Sequence, residues 1–411
     1  MSTTTSSLWR RMRFAVAVVV VALGTATASY GARSRQPDVD PKTGPKMNKA
    51  VELLNAEKYA EAREILESLL GKMLSPYERA RLENILASVA QAQGKYGEAR
   101  AHLQKAIDSG GLNDEEVLQN RYQFAQMFMA EEKWKEGAAA INAWIAAGAK
   151  PNASAYYLLA IAYYQTKSYD LAIPQIQKAI EMSEKPPETW YALLVSLRFE
   201  RSEFMAAIPT LKKLVEIAPT KKLYWMHLSN IYAQAEKYQE AMVPLQLAYY
   251  MGLLTEESEY RRLVDLTLQN GIPLRAAQLL TQLINDKKIS GDVKDWEKLG
   301  NSWVSARDFD AAIAPLTRAA SMASDGNLYV RLGEIHIQTE EWAKAVDAFN
   351  RAFEKGNLKN RGDTDLLLGI CLSNLNKLKD ARLAFQRALA DEKSKKQAEG
   401  WLRYLDTSQG N

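Results

Sequence analysis

The residues that could carry out catalysis or bind a metal are few and widely separated in this chain of 411 residues. Three histidines, His102, His227 and His336, have no histidine or cysteine neighbour at the spacing that zinc sites require. The single cysteine, Cys371, lies among apolar residues, which favours a buried thiol over a reactive one. We therefore predict no metal site, and a lone cysteine excludes an intramolecular disulfide.

Sequence motifs that position a nucleophile or a phosphate are also missing. The chain contains neither G-x-S-x-G nor G-x-x-x-x-G-K-[ST], and no G-x-G-x-x-G precedes a helical pattern. Aspartate and glutamate are interspersed with lysine and arginine, as on a solvated helix surface. The sequence therefore predicts a protein that is not an enzyme and that uses no cofactor.

The first 28 residues have the three parts of a secretory signal peptide. Arg10, Arg11 and Arg13 precede an apolar run over residues 14–23, and small residues follow it as far as Ala28. Crossing a bilayer takes about 20 apolar residues, so we expect cleavage after Ala28 and a periplasmic protein without a membrane span. An uncleaved signal anchor is the alternative. Cleavage removes those three positive charges and lowers the net charge from +4 to +1, so binding to nucleic acid is not expected.

Composition and periodicity divide the rest of the chain. Residues 29–45 are rich in proline and lack periodicity, which predicts a flexible lead-in. Over residues 46–395 an aromatic residue or leucine is followed, three residues later, by alanine or glycine, and this pattern returns every 33 to 38 residues. The pairs are Tyr59 and Ala62, Tyr96 and Ala99, Trp134 and Gly137, Tyr169 and Ala172, Phe204 and Ala207, Tyr238 and Ala241, Leu274 and Ala277, Phe309 and Ala312, Trp342 and Ala345, and Leu378 and Ala381. Ten units with a period near 35 residues indicate a repeat array.

Each unit carries a second helical pattern upstream of that pair, and the clearest case is Trp296-x-x-Leu299-Gly300-x-x-Trp303. This motif resembles the tetratricopeptide repeat family, whose units begin W-x2-L-G-x2-Y. The resemblance covers residues 46–393 and implies an all-α fold, a right-handed α-solenoid of about ten helix-turn-helix units. Residues 396–411 are expected to form a capping helix and tail. One departure is Asp265, which stands where the family has a small residue.

In this family the first helix of each unit lines an inner surface that holds protein or peptide segments. Taking the phase from the matched motifs, we predict a partner-binding groove whose first half is rich in aromatic residues and methionine. Its residues are Tyr122, Met129, Tyr157, Ile161, Tyr164, Phe199, Met226, Asn230 and Asn301. A phase error of one residue would turn groove into core, so packing against adjacent helices is the alternative interpretation.

Two of these positions bear on how a partner would be held. Asn230 and Asn301 stand where co-chaperone members of the family hold a peptide carboxylate, but Met226 and Glu297 replace the accompanying lysine. An extended or helical segment held through hydrophobic anchors is therefore expected instead of a carboxylate clamp.

The layout of the chain, a leader followed by about ten repeats, resembles the repeat proteins that accompany TonB-ExbB-ExbD energising systems. That resemblance implies a periplasmic interaction scaffold in a Gram-negative envelope, with components of that system as partners and a role in TonB-dependent outer-membrane transport. An envelope assembly or export factor that handles polysaccharide or outer-membrane proteins is the alternative, and a glycan-binding accessory protein is a third. Neighbouring genes would discriminate between the first two.

Overall fold

A computed structural model describes residues 39–408 of the chain. The predicted signal peptide, most of the predicted lead-in and the last three residues lie outside the described residues. Within residues 39–408 the secondary structure consists of 21 α-helices and no strand. The chain forms two compact units, the first ending at Thr210 and the second beginning at Leu211.

Successive helices pair as hairpins. The first hairpins are formed by α1 Gly44–Asn55 and α2 Tyr59–Leu70, α3 Pro76–Ala92 and α4 Tyr96–Asp108, α5 Asp114–Ala130 and α6 Trp134–Ala146, α7 Ala153–Gln165 and α8 Tyr169–Glu181, and α9 Glu188–Glu200 and α10 Phe204–Ile217. They are followed by α11 Lys222–Gln234 and α12 Tyr238–Tyr250, α13 Glu257–Gln269 and α14 Pro273–Asn285, α15 Val293–Ser305 and α16 Phe309–Met322, α17 Asn327–Gln338 and α18 Trp342–Lys355, and α19 Arg361–Asn374 and α20 Leu378–Ala388, before the last helix, α21 Glu392–Ser408. Ten hairpins and a final helix confirm the predicted all-α solenoid.

A small buried residue three positions after the start of each second helix lets the two helices of a hairpin approach closely. Alanines at this position, such as Ala62, Ala172 and Ala345, are 0% exposed, and in the third hairpin Gly137 takes the same place. Each hairpin leaves apolar residues uncovered, which the next hairpin buries, so the core continues from hairpin to hairpin within each unit.

In the seventh hairpin, formed by α13 and α14, the repeat motif lies one residue earlier than the sequence suggested. Helix α14 begins at Pro273, so the residue three positions later is Ala276 and the predicted pair of Leu274 and Ala277 is one residue late. On α13 the corresponding small position is held by Val264, which is 0% exposed. Asp265 is partly exposed and pairs with Lys298 on α15, so the small position of this repeat lies one residue earlier than the sequence suggested.

The turn inside every hairpin contains one residue with positive φ, two positions before the second helix. Glycine takes this place at Gly94 and Gly271, where φ is 73° and 70°. The other eight turns use residues with side chains, such as Glu236 and Arg307, with φ of 57° and 59°. This left-handed residue reverses the chain so that its next amide bonds back to the first helix, as Lys237 N–H does to the Tyr232 carbonyl at 2.9 Å.

Helix α21 covers the open face of the last hairpin. Trp401 stacks on Phe385 of α20 with ring centroids 5.6 Å apart and planes at 10°, and Ala398 and Leu405 are 0% exposed. In the same core Cys371 is also 0% exposed, and burial raises the pKa of its thiol to about 12. The described part of α21 therefore acts as the cap that the sequence predicted for this end, and it begins at Glu392.

At the other end, the Glu78 carboxylate fastens the segment before α1 to the second hairpin. Its Oε1 atom accepts hydrogen bonds from the Asp40 backbone N–H at 2.9 Å and the Thr43 hydroxyl at 2.5 Å. Its Oε2 atom completes a capping box with Ser75 at the start of α3. These bonds to the charged form, those from Thr43 and Ser75 first, outweigh burial and lower the pKa of Glu78 to about 2.

We expect Glu78→Gln to lower the free energy of unfolding of the first unit by about 2 kcal/mol at pH 7, because an amide replaces a carboxylate that accepts several hydrogen bonds. A carboxyl with a lowered folded pKa stabilises the protein above its unfolded pKa and loses that effect as the pH falls. The difference between the two proteins should therefore shrink from about pH 4.5 to pH 2. Urea denaturation across this range measures it; a difference that stays constant with pH would contradict the assignment.

Candidate functional site

In the first unit the structure brings predicted groove residues together as aromatic pairs on α5 and α7. Tyr122 of α5 stacks on Trp144 of α6, with ring centroids 4.5 Å apart. Tyr157 of α7 stacks on Trp190 of α9 at 5.1 Å, which joins the first helices of neighbouring hairpins. The tyrosines are partly buried, and burial raises the pKa of both. Their rings are therefore held in place, with part of each surface open to a partner.

Two more predicted residues extend this face along α7. Ile161 lies one turn beyond Tyr157 and packs against the same cluster as Trp190. Tyr164 follows three residues later, 6.0 Å from the ring of Tyr169. Burial raises its pKa, and the nearby Glu200 carboxylate contributes to the same shift. We call Tyr122, Tyr157, Ile161 and Tyr164 the aromatic face.

Met129 and Phe199 belong to the core of the first unit. Met129 is 7% exposed, and a Cβ atom added at Gly137 on the second helix would lie 2.7 Å from its sulfur. Phe199 is 8% exposed and packs 5.7 Å from Phe204 at the start of α10. Little of either side chain is available to a partner, which fits the alternative interpretation that these positions pack against adjacent helices.

The remaining predicted residues lie in the second unit. Met226 on α11 packs against the core cluster that contains Tyr260 and Leu263. Asn230, one turn further along α11, has a buried Oδ1 atom with no hydrogen-bond partner within residues 39–408. Asn301 lines a pocket of about 360 Å³ between α13 and α15. The pocket is lined by Leu268, Lys294, Glu297, Lys298, Asn301, Ser302 and Ser305.

Ion pairs tie the first helices α11, α13 and α15 together beside this pocket. Lys222 of α11 pairs with Glu259 of α13 at 2.8 Å. Arg261 makes a two-pronged contact with Asp295 of α15, at 2.9 Å from Nε and 2.8 Å from Nη2. Burial opposes ionisation of Asp295, but the hydrogen bonds from Arg261 and the Asp292 backbone outweigh it and keep its pKa below the usual value.

Arg262, next to this network in sequence, is a residue that the repeat motif did not point to. It is partly buried on α13, and burial lowers its pKa. Trp190 was missed as well, because the repeat motif marks positions within one hairpin and not the ring of the next hairpin that completes a stack. Trp190 could have been found from the sequence, because it follows Tyr157 at about the length of one repeat. No sequence signal pointed to Arg262.

The three histidines belong to three different hairpins. His102 Nδ1 lies 2.6 Å from Glu83 Oε2 and His336 Nδ1 lies 2.7 Å from Glu341 Oε2, while burial lowers the pKa of His227 to about 4. Across residues 39–408 no group of three or more histidine, cysteine, aspartate and glutamate side chains is arranged to hold a metal ion. No described helix has the length and apolar character needed to cross a membrane.

Hairpins of this kind, stacked with small residues between their helices, define an α-solenoid of the tetratricopeptide type. A sequence profile of the tetratricopeptide repeat matches residues 47–114, 122–187 and 297–357, just under half of the chain. These matches support the tetratricopeptide repeat family, whose solenoids are typically interaction scaffolds without enzyme activity. No curated protein matches the chain significantly.

Solved structures with a related arrangement are distant in sequence. A tetratricopeptide repeat protein from Parabacteroides merdae is 13% identical over 60% of this chain and 94% of its own, with a TM-score of 0.35. The C-terminal part of a repeat protein from Cytophaga hutchinsonii is 16% identical over 67% of this chain and 95% of its own, with a TM-score of 0.39. MamA from Desulfovibrio magneticus RS-1 is 17% identical over 45% of this chain and 99% of its own, with a TM-score of 0.37.

Proposed function

We propose that this protein is a periplasmic scaffold that holds a segment of a partner protein along the aromatic face of its first unit. The observation that supports the proposal most is the stacking of Tyr122 on Trp144 and of Tyr157 on Trp190. Tyrosine and tryptophan are enriched at protein interfaces, and rings already held in place lose little conformational entropy on binding. A partner segment would complete the burial of these rings.

The spacing of the side chains on α7 favours an extended or helical segment of the partner protein, held through apolar anchors. On α7, Tyr157, Ile161 and Tyr164 follow one another at intervals of four and three residues, which places them on one side of the helix. A chain lying along that side can insert successive apolar side chains between them.

The periplasmic location and the partner are proposed from the sequence. The signal peptide pattern of residues 1–28 supports export, and the resemblance to repeat proteins of TonB-ExbB-ExbD systems supports a role beside TonB-dependent transport. Cell fractionation followed by N-terminal sequencing tests the location: a mature protein beginning at Ser29 in the periplasm is expected. Recovery of the intact leader in the cytosolic fraction would overturn it.

Site-specific photocrosslinking in intact cells tests the partner-binding face. A photoreactive phenylalanine at Tyr157 or Tyr164 should trap one discrete protein, whereas the same group at Leu171, which is 53% exposed on the second helix α8, should not. A TonB, ExbB or ExbD component among the trapped proteins would support the TonB assignment, and an envelope assembly protein would favour the alternative. Equal trapping from Leu171 would contradict the aromatic face.

The double variant Tyr157→Ala/Tyr164→Ala should weaken capture of that trapped protein at least tenfold, since it removes both tyrosine anchors of α7. Loss of the Tyr157 stack also costs some stability, so far-ultraviolet circular dichroism must show the helical signal retained. Leu171→Ala is the matched control. Undiminished capture by the double variant would refute the role of these tyrosines.

A further inference from the structure

Arg262 carries a positive charge that the described structure leaves without a counterion. It forms no hydrogen bond or ion pair within residues 39–408, and its Nε atom is buried without an acceptor. Burial lowers its pKa, which reflects an environment that disfavours the charge. A guanidinium stays protonated in proteins, so this site holds an uncompensated cation.

Comparison with two other arginines shows what is unusual. Arg63 and Arg198 also have a buried Nε atom without an acceptor. Both nevertheless use their terminal nitrogens in an ion pair: Arg63 with Glu98, and Arg198 with Glu203 at 3.2 Å. A buried Nε is thus tolerated in this fold when a carboxylate lies beside the guanidinium, and Arg262 lacks that carboxylate.

The carboxylates nearest along the helix are already engaged. Glu259 and Asp265, three residues before and after Arg262, share its side of α13. Glu259 pairs with Lys222 of α11 and Asp265 pairs with Lys298 of α15. Lys222 and Lys298 come from the first helices on either side of α13. Arg262, which lies between Glu259 and Asp265 in sequence, is therefore on the face of α13 between its contacts with α11 and with α15.

The pocket between α13 and α15 lies further along α13, on the side of that helix that faces α15. Leu268, at the pocket wall, is six residues beyond Arg262, or about 9 Å along the helix axis. Asn301 and Lys294 line the pocket on the α15 side. A polypeptide that places a carboxylate on Arg262 can continue towards a cleft that offers the Asn301 amide and the Lys294 ammonium group, beside the Glu297 carboxylate.

We propose that Arg262 is an anion-binding residue that receives an acidic side chain, aspartate or glutamate, of an extended partner segment lying along α13 and α15. The guanidinium offers paired N–H donors that match a carboxylate, and the ligand supplies the counterion that the chain itself does not. This inference rests on the proposed scaffold function, since it names the chemistry of a partner, but it concerns the second unit and not the aromatic face.

Anion binding and a purely structural role for Arg262 predict different effects of its substitution on stability. If the charge is uncompensated in the free protein, Arg262→Met should leave the melting temperature unchanged or raise it, because an apolar side chain of similar length replaces a desolvated cation. If the guanidinium instead holds the fold together, the same substitution should lower the melting temperature by several degrees. That second result would overturn the proposal.

Binding is tested with defined peptides on the purified protein. The probe is a fluorescein-labelled dodecapeptide of alternating glutamate and serine with both termini blocked; its counterpart has glutamine in place of glutamate. A third peptide is the glutamine version with a free C-terminal carboxylate. Fluorescence anisotropy at low and moderate salt should show saturable binding of the acidic peptide alone, weakening as salt rises.

Arg262→Met and Arg262→Gln should each weaken that binding at least tenfold. Arg275→Gln is the matched control, since Arg275 lies on the second helix α14 and contacts the Tyr250 hydroxyl at 3.1 Å. Equal binding of the glutamine peptide, binding of only the free C-terminus, no binding at all, or no loss in the Arg262 variants would each overturn the proposal. The aromatic face stays intact in every variant, so a failure here is distinguishable from a failure of the crosslinking experiment.

Discussion

Gly369→Ala is expected to lower the free energy of unfolding of the second unit by about 3 kcal/mol. A Cβ atom at this position would lie 2.5 Å from Cε1 and 2.6 Å from Cδ1 of Phe385. The ring cannot swing aside easily, because Phe385 is 0% exposed and its ring stacks on Trp401 of α21. The added methyl group must therefore push α19 away from α20 or displace the capping helix. Chemical denaturation followed by tryptophan fluorescence measures the loss.

Gly400→Ala is the matched control for this change. Gly400 lies within α21 and has nothing within 4 Å of an added Cβ atom, so alanine should raise stability by up to about 1 kcal/mol through its better helix propensity. The double variant Gly369→Ala/Phe385→Leu should recover part of the loss, because a smaller side chain makes room for the methyl group. Strictly additive effects, or equal effects of the two glycine substitutions, would show that Gly369 and Phe385 do not contact each other as described.

Acidification from pH 6.5 to pH 4 should lower the stability of the second unit by about 3 kcal/mol through His227. Burial lowers the folded pKa of this imidazole from 6.5 to about 4. The unfolded chain therefore takes up a proton below pH 6.5, whereas the folded chain does not until about pH 4. Proton uptake favours the unfolded state across that window, so stability falls as the pH falls.

His227→Gln should flatten the profile between pH 6.5 and pH 4, whatever it does to stability at pH 7. Hydrogen exchange of the α11 amides, read at several pH values, reports the second unit specifically. Glu78→Gln is the comparison, because Glu78 lies in the first unit and acts between about pH 4.5 and pH 2. A His227→Gln profile parallel to the wild-type profile would show that the imidazole is not buried in its neutral form.

The helices of this fold were predictable because the repeat fixes their phase. Second helices begin at the predicted aromatic residue in most hairpins, for example at Tyr96, Phe309 and Trp342. In the seventh hairpin the sequence offered two adjacent alanines, Ala276 and Ala277, and both are buried. Pattern matching could not choose between them, whereas the position of Pro273 at the first turn of α14 sets the register.

The turns were harder to predict than the helices. Eight of the ten left-handed turn residues carry a side chain, so glycine marks this conformation only at Gly94 and Gly271. The hairpin geometry, and not the intrinsic preference of residues such as Lys167 or Glu340, forces the positive φ. Local propensity therefore does not contain this information.

The candidate site was predictable in its helices but not in its contacts. The repeat phase predicted a position on the inner side of α7 for Tyr157 and Tyr164. The burial of Met129 and Phe199 depends on how deeply their helices pack against the second helices, which the phase alone does not give. Arg262 could not be singled out, because a basic residue on a helix in a charged sequence normally has a carboxylate beside it. Only the pairing of Glu259 and Asp265 with other lysines isolates it.

The burial of Cys371 has a practical consequence for measuring this molecule. A thiol that is 0% exposed with a pKa near 12 is almost never a thiolate at neutral pH. Maleimide reagents should therefore pass over it in the folded protein and label only cysteines introduced at exposed sites. Pairs of dyes or spin labels can then be placed on the two units without first replacing the native cysteine, and the distance between the units read in solution.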